Sequence, residues 1–152
     1  MERRELIQWL VATAGIGALD AAPDDLIALG REVHRQASTS IDPTLAAVTE
    51  RIIPGAARAG VPAFVERMLT NWHTPEERAA ILAGLEGLGS FVDRSEADQI
   101  AQLTSIDQSK PEWFVRLKYL TAYGYCTSEV GMRELELWPQ PWRYDGCAPV
   151  EH

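Results

Sequence analysis

The sequence has few of the residues on which most site chemistry depends. Its 152 residues include three histidines and two cysteines, and only two of the 14 basic residues are lysines. His34 and His73 have no HxxxH or Cys/His companion spacing, which argues against a metal site. The sequence also lacks a phosphate-binding loop, a GxSxG nucleophile motif and a CxxCH haem attachment motif. The sequence therefore indicates no catalytic or cofactor-binding constellation in this chain.

Positive charge is scarce as well. The formal net charge is −8 at pH 7, and the arginines are scattered with no polybasic run. Nucleic acids and anionic lipid surfaces are bound through concentrated basic charge, so the composition argues against both partners. With 46% hydrophobic and 24% charged residues, the chain is typical of a soluble globular protein with one core.

Residues 1–22 are typical of an export signal. Arg3 and Arg4 precede an apolar run at 9–19. That run is shorter than the roughly 20 residues that span a bilayer, but it fits the apolar region of a signal peptide. Paired arginines before such a run resemble a twin-arginine signal, which carries folded cargo across the bacterial membrane. The alternative is an ordinary amphipathic first helix. Export predicts a periplasmic mature chain with no membrane span after signal removal.

Residues 23–152 predict one all-α domain of about six helices. Apolar residues recur at helical spacing, and few segments alternate with period two. Start signals recur along the chain: Asp24, Asp42 before Pro43, Val61 before Pro62, Thr74 with Glu77, Ser95 with Asp98, and Ser109 with Glu112. His34, on the apolar side of the first of these helices, is interpreted as a satisfied, partly buried histidine. From Trp138 onward, prolines forbid regular helix and predict an extended tail rich in proline and aromatic residues.

Glycines mark two further features. Gly84, Gly87 and Gly89 weaken the helix that starts at Thr74, and we expect them to permit close contact between helices. Gly124 is expected to break the helix that starts after Ser109.

The segment that follows Gly124 is the candidate site. Tyr123, Tyr125, Cys126, Thr127, Ser128 and Glu129 are crowded there beside one another. Glu129 has no obvious capping role, although a short helix capped by Thr127 or Ser128 would place it in the first turn. In the tail, Trp138, Trp142, Arg143 and Tyr144 are of the types that anchor protein interfaces. These aromatic residues alternatively pack on the chain's own core.

Cys126 and Cys147 are the two cysteines. In an oxidising compartment they can pair with each other, which would stabilise the fold by about 3 kcal/mol for a loop of this size. One of them can instead bridge to a partner chain, or both can remain reduced and buried. The sequence leaves these three alternatives open.

Three segments resemble the gluconate 2-dehydrogenase subunit 3 family. They are MERRELIQWL at 1–10, ERIIPGAARAGVPAFVERML at 50–69, and LKYLTAYGYCTSEVGMRELELWPQPWRYDGCAP at 117–149. The last is similar to a family pattern, GYYTSE followed by a glycine, then a proline-rich YDGC segment. Two residues depart from the family pattern. Cys126 stands where the pattern usually has tyrosine, and Trp142, after Pro141, stands where the family often has glycine.

The resemblance implies a non-catalytic small subunit of a membrane-associated dehydrogenase complex. A large flavin subunit of the glucose-methanol-choline type, which holds FAD, oxidises a sugar, sugar acid or glycoside. A cytochrome c subunit with haem c often takes the electrons. The small subunit is expected to help the flavoprotein fold, to carry it through twin-arginine export, and to stabilise it. The candidate residues at 123–129 and 138–144 are then expected to contact the partner.

Overall fold

The computed structural model describes residues 23–36 and 41–136. Within these residues it contains seven α-helices, one short 3-10 helix and no strand, which confirms the all-α prediction. The helices are α1 (Pro23–Gln36), α2 (Pro43–Ile52), α3 (Val61–Asn71), α4 (Pro75–Glu86), α5 (Glu96–Ser109), α6 (Glu112–Thr127) and α7 (Glu129–Glu134), with the 3-10 helix Phe91–Asp93 between α4 and α5.

The predicted signal with Arg3 and Arg4, and the tail from residue 137 onward, lie outside the described residues. The tail contains the predicted interface residues Trp138, Trp142, Arg143 and Tyr144, and Cys147 of the predicted pair.

Helix α6 is the centre of the described fold. It contacts each of the other six α-helices. Phe114, Leu117 and Leu120 are almost completely buried along it, and so is the polar side chain of Thr121. The Thr121 hydroxyl donates to the Leu117 carbonyl, 2.8 Å away, so its burial leaves no unmade hydrogen bond. The other six helices are thus arranged around α6 as the central helix.

Three helix starts are as the sequence predicts. The Asp42 carboxylate accepts from the Thr44 and Leu45 amides at the start of α2. Thr74 and Glu77 form a reciprocal capping box at the start of α4, where each side chain binds the other residue's amide. The Ser95 hydroxyl accepts from an amide in the first turn of α5. Each cap satisfies amides that have no partner inside the helix.

Two details of α6 differ from the prediction. Ser109 does not cap this helix but belongs to the last turn of α5, and Pro111 occupies the N-cap position with no side-chain hydrogen bond. The break expected at Gly124 is also wrong, because α6 continues to Thr127. The preceding helix α5, which begins at the predicted Ser95 start signal, has 14 residues.

The glycines of the α4 region divide into two roles. Gly84 faces the indole of Trp113, and a Cβ atom there would come closer than 3.0 Å to that ring. This confirms close helix–helix contact at one of the three expected positions. Gly87 instead ends α4, and Gly89 has φ +63°, a left-handed conformation that glycine adopts without strain.

Candidate functional site

The second and third family-like segments meet where α3 crosses α6. The ring of Phe64 is completely buried and lies edge-on to the ring of Tyr123, with centroids 5.3 Å apart. A Cβ atom on Gly124 would lie 2.6 Å from that phenylalanine ring. Glycine at 124 therefore serves close packing inside a helix that continues to Thr127.

A turn at residues 53–60 connects α2 to α3, and Glu50 organises it. The Gly55 and Ala57 amides each donate to the Glu50 carboxylate over 2.8 Å. The Ala57 amide in particular lowers the pKa of this carboxyl, because a bound N–H favours the ionised form. Gly55 and Gly60 have φ +91° and +72°, values that suit glycine. The carboxylate thus binds two amides of the loop, those of Gly55 and Ala57, and holds the loop against the end of α2.

Tyr125 links this turn to α7. Its hydroxyl donates to the Glu134 carboxylate over 2.6 Å, and the Arg58 guanidinium contacts the other oxygen of that carboxylate over 3.3 Å. The hydrogen bond to Glu134 raises the pKa of Tyr125. The 53–60 turn, the end of α6 and α7 are therefore connected by one exposed polar cluster.

Thr127 and Ser128 make the transition between α6 and α7 with no connecting loop. The Thr127 hydroxyl donates to the Tyr123 carbonyl over 2.8 Å. The Ser128 hydroxyl donates to the Tyr125 carbonyl and accepts from the Gly131 amide, over 2.7 and 3.0 Å. Ser128 ends α6 and caps α7, which confirms the predicted alternative in which Glu129 lies in the first turn of a short helix.

Two glycines allow neighbouring elements to approach this transition. A Cβ atom on Gly30 would meet the side chain of Thr127 at 2.5 Å, which indicates that α1 lies directly against the end of α6. A Cβ atom on Gly131 would collide with the backbone carbonyl of Tyr125. We refer to this assembly of α1, α3, the 53–60 turn, α7 and the end of α6 as the motif junction.

An open cleft of about 570 Å³ lies at the motif junction. Its lining comes from α1, the 53–60 turn, the end of α6 and α7: Arg31, His34, Arg58, Ala59, Thr127, Ser128, Glu129, Val130, Met132 and Arg133. Arg133 pairs with Glu129 one helical turn away, over 2.6 Å. The cleft therefore combines several guanidinium groups with a single carboxylate.

His34 lies beside this cleft. Its Nε2–H donates to the Gly124 carbonyl over 2.7 Å, and its ring packs on that of Phe64 with centroids 4.7 Å apart. Burial lowers the pKa of His34, and the hydrogen bond to Gly124 offsets only part of that effect. The interpretation of His34 as a satisfied, partly buried histidine is confirmed.

The predicted partner-contacting residues of 123–129 differ widely in exposure. Tyr123, Thr127 and Ser128 are buried, Tyr125 and Cys126 are partly buried, and Glu129 is exposed. Burial raises the pKa of the Cys126 thiol to about 11, which leaves little thiolate at neutral pH. The structure thus places these residues together, with Glu129 the most accessible. Their contact with a partner remains a prediction, as does the pairing of Cys126 with Cys147.

Sequence analysis missed Glu50, Arg58 and Glu134. Glu50 was within reach of prediction, because a glutamate just before a Pro-Gly loop can accept amide hydrogen bonds from that loop. Arg58 and Glu134 are 76 residues apart, and no local pattern indicates their pairing.

No three histidine, cysteine, aspartate or glutamate side chains of residues 23–36 and 41–136 group closely enough to hold a metal ion. Over the same residues, no helix is both long and apolar enough to cross a membrane.

The family model described as gluconate 2-dehydrogenase subunit 3 matches residues 42–146. This match spans more than half of the chain and includes most of the motif junction, so the chain belongs to that family. The family is named for a subunit of a dehydrogenase complex. No curated protein and no solved structure matches the chain significantly.

Proposed function

We propose that this chain is the non-catalytic small subunit of a membrane-associated, FAD-dependent dehydrogenase of the glucose-methanol-choline type. Its large partner subunit holds FAD and oxidises a sugar, sugar acid or glycoside. A cytochrome c with haem c receives the electrons where such a subunit is present. The small subunit itself holds no cofactor; it assists folding, export and stabilisation of the flavoprotein. Membership of the gluconate 2-dehydrogenase subunit 3 family supports this assignment.

One observation carries the proposal: within residues 123–128, the side chains of types that often take part in catalysis are used in packing and in internal hydrogen bonds. The hydroxyls of Thr127 and Ser128 are bound to backbone carbonyls, and the Cys126 thiol is held in its protonated form by burial. Tyr123 is in the core against Phe64. A segment built in this way presents a rigid surface, which suits a structural subunit better than a reaction centre.

The export role is proposed from the leader sequence. Arg3 and Arg4 precede an apolar run of signal length, and a twin-arginine signal carries cargo that is already folded. A flavoprotein that has bound FAD in the cytoplasm would need such a route if it lacks a signal of its own. We therefore propose that the flavoprotein crosses the membrane together with this chain and works on the periplasmic side.

The test is to replace Arg3→Lys and Arg4→Lys together and to measure flavoprotein activity in cytoplasmic and periplasmic fractions. We expect the flavoprotein to remain in the cytoplasm with its FAD. The matched control is Arg78→Lys, an exposed arginine of α4, which should leave export unchanged. Normal periplasmic activity in the double variant would exclude the escort role.

A second candidate function is favoured by the exposure of Glu129 on the cleft. In this alternative the small subunit also borders the substrate entrance of the partner. Replacing Glu129→Gln in the intact complex should then change the KM for the sugar substrate while kcat stays the same. Unaltered kinetics in a fully assembled complex would reject this role.

An independent periplasmic binding module is the remaining alternative, and the 570 Å³ cleft is the observation that favours it. Such a module would be a stable, soluble monomer with a ligand of its own. Size-exclusion chromatography of the mature chain distinguishes the two cases. If the chain is poorly soluble when it is expressed by itself and becomes soluble when it is co-expressed with the flavoprotein, the subunit assignment is favoured.

A further inference from the structure

The lining of the cleft at the motif junction carries more guanidinium than carboxylate groups, whereas the chain as a whole is acidic. Its lining residues supply three guanidinium groups and one carboxylate, although the sequence carries 22 acidic and 14 basic side chains. Arg31 comes from α1, Arg58 from the 53–60 turn and Arg133 from α7. Tertiary structure therefore concentrates positive charge that is dispersed in the sequence.

Two of these arginines are accessible although each has a carboxylate partner. The side chains of Arg58 and Arg133 are 71% and 61% exposed, and their partners Glu134 and Glu129 are 54% and 60% exposed. Ion pairs between exposed side chains are weak, because water competes for both groups. A carboxylate from another molecule can therefore replace Glu134 or Glu129 without disturbing the core.

The remaining lining suits a carboxylate-bearing chain. Ala59 and Val130 supply apolar surface, and His34 has its Nε2–H bound to the Gly124 carbonyl. An entering side chain thus meets apolar and neutral groups along its stem and guanidinium groups at its head. Guanidinium groups bind carboxylates through paired N–H donors, which gives geometric as well as charge selection.

We propose that this cleft receives an acidic segment of the flavoprotein subunit, whose aspartate or glutamate side chains pair with Arg58 and Arg133. The inference rests on the proposed function, because it names the surface through which the same two chains associate. Charge favours a protein segment over nucleic acid, since a chain of net charge −8 repels an extended phosphate backbone.

The first test reverses the charge of the cleft in the full chain. Arg58→Glu with Arg133→Glu should weaken binding to the flavoprotein at least about tenfold, because rim charges govern encounter and salt dependence. The control, Arg78→Glu with Lys110→Glu, makes the same change in net charge at exposed residues outside the cleft and should change affinity less than about twofold. Affinity is measured at two salt concentrations, and the wild-type affinity should fall more steeply with salt than that of the cleft variant.

A second double variant, Arg58→Gln with Arg133→Gln, removes both charges without reversing them and is used if the charge-reversed chain does not fold. It should weaken binding about threefold while the circular dichroism spectrum stays that of the wild type. If a folded cleft variant binds as tightly as the wild type, the cleft proposal is overturned while the proposed function stands. If the wild-type chain itself binds no flavoprotein, the proposed function fails, and the cleft proposal fails with it.

A second test identifies the occupant. Glu129 is replaced with a photoreactive benzoylphenylalanine in the assembled complex, and the cross-linked peptide is sequenced by mass spectrometry. A cross-link to an acidic segment of the flavoprotein supports the proposal. A cross-link to residues 137–152 of the same chain, or to a second copy of it, would replace the proposed occupant and overturn it.

Discussion

The two ends of α6 are both packed through glycines, yet they differ in what the glycines face. At the amino-terminal end, Gly84 faces the partly exposed indole of Trp113. At the carboxy-terminal end, Gly124 faces the buried ring of Phe64 and Gly131 faces a backbone carbonyl. A partly exposed side chain at the edge of the core can turn from a new methyl group at a lower cost than a backbone group or a completely buried ring.

The difference indicates where the chain needs a fixed shape. Ion pairs at the surface surround the amino-terminal end of α6, where Arg116 pairs with Glu77 and Glu112. The carboxy-terminal end also carries surface ion pairs, Arg58 with Glu134 and Arg133 with Glu129, but it differs in bordering the 570 Å³ cleft at the motif junction. We infer that the more rigid end of α6 supports the docking surface proposed above.

The largest expected effect comes from Gly131→Ala. Its new Cβ atom collides with the Tyr125 carbonyl, so α7 must shift, and we expect a loss of about 3 kcal/mol in the free energy of unfolding. Gly84→Ala is the matched change at the other end. Rotation of Trp113 and the better helix propensity of alanine should keep its effect within about 1 kcal/mol. Urea denaturation of both variants measures the contrast, and equal losses would remove the distinction between the two ends.

The next effect concerns the 53–60 turn. Glu50→Gln replaces one of two carboxylate oxygens that accept amide hydrogen bonds, and a destabilisation of about 2 kcal/mol is expected. Glu86→Gln, at an exposed residue of α4, should be neutral. If both variants unfold at the same urea concentration as the wild type, Glu50 does not organise the turn.

His34 predicts a pH dependence at the carboxy-terminal end of α6. The unfolded imidazole takes up a proton near pH 6.5, whereas the folded one does so only at lower pH because burial lowers its pKa. Its contribution to stability is therefore complete above pH 6.5 and is lost as the pH falls through the folded pKa, with a slope of at most about 1.4 kcal/mol per pH unit. His34→Gln keeps an N–H donor for the Gly124 carbonyl and should remove this dependence. Glu50 titrates below about pH 4.5, outside this window. The free energy of unfolding of the wild type and of His34→Gln is measured by urea denaturation from pH 7 to pH 5. The same pH dependence in both proteins would show that His34 does not contribute to it.

The smallest effect is expected from the exposed cluster. Tyr125→Phe removes the hydrogen bond to Glu134 and should cost about 0.5 kcal/mol, because water already competes for both groups. A double-mutant cycle with Glu134→Gln measures the coupling. A coupling of several kcal/mol would mean that this exposed bond, rather than glycine packing, holds α7 in place.

Local signals in the sequence predicted much of the fold. The Asp42 and Ser95 caps and the Thr74 capping box follow from residues adjacent to the amides they bind, so the pattern alone locates them. Ser128 was predicted as an alternative cap for the same reason. The predictions that were wrong concern residues whose role depends on contacts with distant parts of the chain. Gly124 was interpreted as a helix break, because only the position of Phe64 on another helix shows why glycine is required there.

The sequence predicts the location of the candidate site but not all of the residues that line it. Residues 123–129 do lie at the junction, yet the cleft beside them also requires Arg31 and Arg58, which come from distant parts of the chain. No spacing rule brings α1, the 53–60 turn and α7 together. The concentration of guanidinium groups at the cleft is therefore a property of the fold and not of any local sequence pattern.

Above all, we propose that this chain works as a subunit of a flavoprotein dehydrogenase. Native mass spectrometry of the tagged chain, purified from its own host under mild conditions, tests it most directly. We expect a complex that contains this chain, a larger subunit with bound FAD, and dehydrogenase activity toward a sugar, sugar acid or glycoside. A lone monomer from cells that also contain the active flavoprotein in another complex would contradict the claim.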